Sequence, residues 1–180
     1  MHGHLCAGQV LGVRMARRGC LELGLDPDDR ADRKRLIVYV ETDRCAADAV
    51  ESVTGCRLGK RTLKHMDYGK VAATLVDMQT GRGVRVIARD DARDKVKAYG
   101  DSKALQAQLA AYQKMPDDDL LVVQRVKVDI PPEDLPGRPL RRVTCEACGE
   151  SVSDGREVVV DGRTLCRACA TEPYYRISDF

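Results

Sequence analysis

Four cysteines near the end of the chain have the spacing of a metal site. They form Cys145-x-x-Cys148 and, after seventeen further residues, Cys166-x-x-Cys169. Two residues between paired cysteines allow a tight knuckle to direct both sulfurs towards one tetrahedral ion. Because four thiolates fill every position around such an ion, the spacing predicts a structural zinc rather than a catalytic one.

The residues around these cysteines predict a treble clef. Gly149 follows the first knuckle, residues 157–165 favour a β-hairpin around Asp161-Gly162, and residues 166–170 favour the start of a helix. A module of about forty residues has too little core to fold dependably alone, so we expect zinc to supply folding free energy. Residues 141–180 contain six Arg and seven Asp or Glu, which favours contact with protein over nucleic acid.

A second group of metal-ligand side chains lies at the start of the chain. His2, His4 and Cys6 alternate along the sequence, so they can converge on one point from an extended segment. On spacing alone, a satisfied histidine and a small buried thiol explain the pattern equally well.

Cys45 adds a physical reason to expect a site. A helix is predicted from residue 44 to residue 54 with Thr42 and Asp43 as candidate caps, which places Cys45 in its first turn. Free amides and partial positive charge at a helix start favour the thiolate. If this turn meets Cys6, the two sulfurs and a histidine form an incomplete ligand set with a position open to water or substrate. Asp48, one turn on, can then orient a ligand or move a proton.

Lys60 is a third catalytic candidate, beside Cys45 and Asp48. The segment Gly55-Cys-Arg-Leu-Gly-Lys60-Arg resembles a phosphate loop, but it has one residue too few between its glycines and follows a helix rather than a strand. We therefore exclude a Walker site. Lys60 and Lys70 are interpreted as cations at a pocket rim, against the simpler interpretation of solvated surface lysines.

The remaining pattern predicts strands interleaved with helices, an α+β arrangement. Gly8 and Gly12 lie one turn apart on the first helix, where close packing is the commonest reason for such glycines. The predicted helices are 7–23, 44–54 and two within 90–114, and the predicted strands are 36–40, 70–77, 84–89 and 120–128.

Composition excludes some partners. The chain has 30 Lys and Arg against 28 Asp and Glu, a net charge of +2, which gives no signature of a nucleic-acid or anionic-membrane binder. Apolar runs are strand-sized, well below the roughly 18 to 20 residues that cross a bilayer. Paired Cys-x-x-Cys knuckles without a recognisable secretory signal predict a reducing, cytoplasmic setting.

A proline-rich segment divides the chain. Residues 131–142 contain Pro131-Pro132, Pro136 and Pro139, which disfavour both helix and sheet and predict a semi-rigid linker. We therefore expect a core domain over 1–130 and a zinc finger over 143–180. A linker of this length lets the finger reach a second copy, so a homodimer with exchanged fingers is a reasonable expectation.

Several motifs together resemble the FmdE family, named for a component of formylmethanofuran dehydrogenase. They are His2-Gly-His-Leu-Cys-Ala-Gly8, Cys45-Ala-Ala-Asp48, Thr54-Gly-Cys-Arg-Leu-Gly-Lys60, Asp67-Tyr-Gly-Lys70 and the final zinc finger. The likeness covers nearly the whole chain. In this family a helix normally precedes the first motif, which here begins at residue 2, so either a different start or a core without that edge element is expected.

The resemblance implies a thioredoxin-like mixed sheet flanked by helices, followed by a small treble-clef zinc-finger domain. It also implies a core metal site, for zinc or another divalent ion, at the His and Cys motifs, and a molybdenum or tungsten oxidoreductase as partner. The leading hypothesis is an accessory subunit or enzyme of redox or one-carbon metabolism. The alternative is a non-catalytic module that docks through its finger and packs its core thiols or delivers metal with them.

Overall fold

A computed structural model of the chain describes residues 5–99 and 105–178. The chain divides into two compact units, Met1–Asp129 and Ile130–Phe180, and each is described separately.

The first unit combines helices with one sheet. Its helices are α1 Ala7–Leu23, α2 Arg30–Arg33, α3 Cys45–Thr54, α4 Val96–Tyr99, α5 Leu105–Lys114 and α6 Asp117–Leu120. Its strands are β1 Leu36–Val40, β2 Leu63–His65, β3 Ala72–Asp77, β4 Gly83–Ala88 and β5 Leu121–Val126. Short 3₁₀ turns cover Leu58–Lys60 and Asp90–Arg93.

The five strands form a mixed sheet in the order β2-β1-β3-β4-β5. β1 and β2 are parallel, with Val38 opposite Leu63, and the other pairings are antiparallel. β1 is interior to the sheet and almost wholly buried, as its unbroken apolar run predicts. The predicted α+β class is confirmed, while the thioredoxin-like comparison stays a prediction.

Helix α1 packs against α3, α5 and strands β3 and β4. It ends at Gly24, whose φ of 72° is the left-handed conformation that only glycine adopts readily. Arg14 on α1 donates to the carbonyl oxygens of Tyr112 and Met115 at 2.7 and 2.5 Å, so it binds the end of α5. The predicted bounds of α1 are therefore confirmed, and its position is fixed from two sides.

The closest helix approach lies at Gly12. A Cβ added there would lie 2.3 Å from the Ala46 carbonyl oxygen and 2.7 Å from the Ala49 Cβ. One turn earlier, a Cβ on Gly8 would lie 3.3 Å from the Cys45 Cβ. The two glycines therefore allow α1 and α3 to touch along their first turns, as their spacing predicts.

A buried carboxylate fixes the end of β3. Asp77, 1% exposed, accepts hydrogen bonds from the Arg35 guanidinium at 2.6 and 3.1 Å, the Thr80 hydroxyl at 2.7 Å and the Gln79 amide at 3.0 Å. Burial raises the pKa of this carboxyl, but the donors outweigh burial and lower it to about 2.

We expect Asp77→Asn to lower the free energy of unfolding by about 2 kcal/mol at pH 7. Because the folded pKa lies below the unfolded value, this stabilisation is complete above about pH 4 and is lost as the pH falls towards 2. Urea unfolding at pH 7 and pH 3 should show the difference between variant and parent shrinking. Asp129→Asn, whose salt bridge to Lys127 is 86% and 91% exposed, is the control and should change little. An equal Asp77→Asn effect at both pH values would contradict the ionic explanation.

The second unit consists of two hairpins and a short helix. Its elements are β6 Arg142–Thr144, β7 Ser151–Ser153, β8 Val158–Val160, β9 Arg163–Leu165 and α7 Arg167–Ala170, with a 3₁₀ turn at Pro132–Asp134. β6 pairs with β7 and β8 pairs with β9, both antiparallel. The knuckle, hairpin and helix of the predicted zinc finger are therefore present.

Part of the proline-rich segment belongs to this unit. Asp134 pairs with Arg156, and the Leu140 amide donates to the Asp154 carboxylate at 3.1 Å. The Asp154 amide in turn donates to the Arg141 carbonyl at 3.1 Å. These bonds order the approach to β6 rather than leaving it as a bare tether.

Candidate metal sites

The finger holds a complete ligand set. The sulfurs of Cys145, Cys148, Cys166 and Cys169 all lie within 4.8 Å of one another, and the Cys148 and Cys166 sulfurs are 3.9 Å apart. A tetrahedral zinc with sulfurs at about 2.3 Å requires sulfur separations of about 3.8 Å. The donor type, number and separation therefore fit zinc.

The backbone around the cluster prepares its thiolates. Gly149, at φ 76°, lets the first knuckle close so that its amide donates to the Cys145 carbonyl at 2.9 Å. Cys166 caps α7, where its sulfur accepts the Cys169 amide at 3.4 Å. Amides of Cys166 and Cys148 lower the pKa of the Cys145 thiol to about 6. Hydrogen bonding to the Cys166 and Cys148 sulfurs raises the pKa of Cys169 to about 12, so a cation is needed for all four to ionise together.

In the core unit, Cys6 and Cys45 lie side by side. Cys6 immediately precedes α1, and Cys45 is the first residue of α3. A Cβ on Gly8 would lie 3.3 Å from the Cys45 Cβ and 3.8 Å from the Cys6 sulfur, so both side chains border one point on α1. The Gln9 side chain fixes the entry to α1 by accepting the Cys6 amide at 3.1 Å.

The pKa of Cys45 corrects one expectation. The helix start was predicted to favour its thiolate, yet the pKa of this thiol is raised. Its hydrogen bond to the Cys6 sulfur is the main cause and partial burial adds to it, which outweighs the opposing backbone hydrogen bond. The predicted caps also differ, because Arg44 occupies the N-cap and makes no side-chain capping bond.

The other predicted core residues have different placements. His2 and His4 lie outside the described residues. Over 5–99 and 105–178, no third His, Cys, Asp or Glu completes a set with Cys6 and Cys45, since the finger is the one such cluster found there. Asp48 is exposed and lines a cleft of about 230 Å³ with, among others, Asp43, Glu51 and His65.

The two candidate lysines also separate. Lys60 is exposed at the end of the Leu58–Lys60 turn and lies outside the linings of both clefts described here. Lys70 lines a larger cleft of about 540 Å³. Its amide donates to the Glu41 carbonyl at 2.9 Å, which ties the loop before β3 to the end of β1.

Sequence reasoning did not identify Glu41 and Arg85. The Glu41 carboxylate, 4% exposed at the residue level, accepts two hydrogen bonds from Arg85 at 2.6 and 2.7 Å. This bidentate pair links the end of β1 to β4 beside the loop of Lys70. An apolar strand that ends directly in Glu, with an Arg on a later strand, is the only signal the sequence offers.

The fold and the finger define a class of protein, an α+β core followed by a four-cysteine zinc module. Residues 1–122 match the family described as "FmdE, Molybdenum formylmethanofuran dehydrogenase operon", and residues 138–175 match the "Prokaryotic dksA/traR C4-type zinc finger". The chain belongs to the FmdE family. The family is thereby associated with operons of a molybdenum enzyme, and the finger match supports a structural zinc at the four cysteines.

Two relatives extend the comparison. A "Probable S-adenosyl-L-methionine-binding protein" of Archaeoglobus fulgidus is 30% identical over 96% of this chain and 51% of its own length, so the chain spans about half of that protein. The crystal structure of an FmdE-like protein of tungsten formylmethanofuran dehydrogenase from Syntrophus aciditrophicus has a TM-score of 0.62 at 24% identity. That match covers 98% of this chain and 89% of the other, and it establishes likeness of fold. In the described residues, no helix has the length and apolar character needed to span a bilayer.

Proposed function

We propose that this chain binds a second metal ion, zinc or another divalent ion, in its core unit. The ligands are Cys6, Cys45 and an imidazole from His2 or His4. The contact between the Cys6 and Cys45 thiols is the observation that carries the proposal. Two thiols that disfavour joint ionisation become good ligands when a cation replaces their shared proton.

Such a site has chemistry that the finger lacks. Three protein ligands leave a fourth position of a tetrahedral ion for water or substrate, which the ion can activate as a Lewis acid. In this proposal the protein acts as an accessory subunit or enzyme of redox or one-carbon metabolism, beside a molybdenum or tungsten oxidoreductase. The operon association of the family supports that setting.

We expect the purified chain to hold about two metal equivalents, of which the core ion leaves first on chelation because one ligand position is open. The double variant Cys6→Ser and Cys45→Ser should hold about one. Elemental analysis during titration with a chelator measures both. Cys20→Ala, which removes a buried thiol from the same helix, is the matched control and should retain both equivalents. A parent protein with a single equivalent that Cys145→Ser removes would exclude the core site.

The alternative is a non-catalytic module that docks through its finger. Its support is a set of exposed apolar side chains on the second unit, including Tyr174 at 100%, Ile177 at 93% and Val159 at 68% exposure. In this case the core thiols pack or pass metal on, and the double cysteine variant retains function. A homodimer with exchanged fingers is one form of such docking.

A further inference from the structure

The larger cleft of the core unit is independent of the cysteine pair. It measures about 540 Å³, within the range of small-molecule sites. Its walls come from α1, the loop before β3, the end of β4, the Asp90–Arg93 turn and α5. No cysteine is among its described lining residues, so a ligand there needs no contact with the proposed metal.

Positive charge dominates the polar side of this cleft. Lys70, Arg89 and Arg93 line it, against Asp90 as the acidic residue of the described lining. Arg89 is neutralised by Asp91, with nitrogen–oxygen distances of 2.8 and 3.3 Å. In the described part of the chain, neither Lys70 nor Arg93 has a carboxylate partner, and Lys70 lies only over the Tyr68 ring at 6.0 Å. Two cations are therefore available to a ligand.

The opposite side of the cleft is apolar with one hydroxyl. Leu11, Val71 and Ile87 contribute aliphatic surface. Tyr112, only 4% exposed, accepts a hydrogen bond from the Gln108 amide at 2.9 Å. Because the phenolic oxygen accepts from Gln108, its own proton is directed away from that amide and can be donated to a ligand.

We propose that this cleft binds a small organic anion. Its carboxylate or phosphate is attracted by Lys70 and Arg93, and its apolar body packs against Leu11, Val71 and Ile87. Both anions present oxygens that ammonium and guanidinium groups bind in the same way, so the cleft defines a shared ligand chemistry.

Isothermal titration of the full chain with simple probes tests this inference. Phenyl phosphate and benzoate supply the two anion types on one apolar body, and phenol is the uncharged match. We expect at least one anion to bind about tenfold more tightly than phenol, the scale of a charge-assisted hydrogen bond. Comparing the two anions distinguishes a phosphate ligand from a carboxylate ligand.

Two variants locate the binding. Lys70→Gln and Arg93→Gln should each weaken the preferred anion about tenfold and leave phenol unchanged. Lys114→Gln, an exposed lysine of α5 outside the cleft, is the control and should bind as the parent does. Cys45→Ser should also bind normally, which separates this site from the metal proposal. Equal affinity for phenol and both anions, no binding of either anion, or unchanged anion binding in both cleft variants would overturn the inference.

Discussion

Removal of zinc should unfold the second unit and leave the sheet of the first unit intact. The strands of the second unit are three residues long, and its buried apolar residues are Cys145 and Leu165. Burial on this scale cannot balance the conformational entropy of about fifty ordered residues. Structural zinc contributes on the order of 10 to 16 kcal/mol to such modules, so we expect no folded form of this unit without it.

Cys145→Ser provides the same test without a chelator. Amide hydrogen exchange should show loss of protection across residues 142–170 and unchanged protection in β1 and β3. Arg142→Gln, an exposed change in β6 that keeps all four sulfurs, is the matched control and should retain protection. Persistent protection of β8 and β9 in Cys145→Ser would show that the bonds of Asp134 and Asp154, rather than the metal, hold this unit together.

Elements with strong local signals could be predicted from the sequence. α1 and α3 both stop at a glycine in the left-handed conformation, Gly24 at φ 72° and Gly55 at φ 70°. β1 was recognisable because a short β-branched run buried on both faces needs no alternation. In each case the determinant lies inside the segment itself.

Elements created by tertiary pairing were missed. β2 has three residues, directly follows a glycine-rich turn and exists because Leu63 pairs with Val38. β6 and β7 are equally short and are held by the closed knuckle between them. Their sequences carry no periodicity, since three residues cannot display one.

The two metal sites differ in predictability for the same reason. In the finger, two local knuckles supply all four sulfurs, so sequence spacing fixes most of the geometry. In the core, Cys6 and Cys45 belong to different helices and meet because those helices approach closely at Gly8 and Gly12. The anion cleft was not predicted, because its lining comes from five separate segments.

We expect Gly12→Ala to be the most damaging single-methyl change in the core unit. The added Cβ meets backbone, the Ala46 carbonyl oxygen at 2.3 Å, which cannot rotate away. Overpacking of this kind costs about 3 kcal/mol, so the urea midpoint of the first unit should fall clearly. Because α3 must move outwards, Cys45 should separate from Cys6, and the proposed core metal should be lost while the finger zinc remains.

Two glycine variants distinguish geometry from stability. Gly59→Ala meets no atom within 4 Å and should change neither unfolding nor metal content. Gly19→Ala places its Cβ 2.5 Å from the Leu75 Cδ1, so it destabilises α1 against the sheet but acts far from α3. If Gly19→Ala is as unstable as Gly12→Ala yet keeps two metal equivalents, metal loss in Gly12→Ala follows from displacement of Cys45. Equal metal loss in both would mean that the core site reports only on stability, and the helix contact would then have no specific role in forming it.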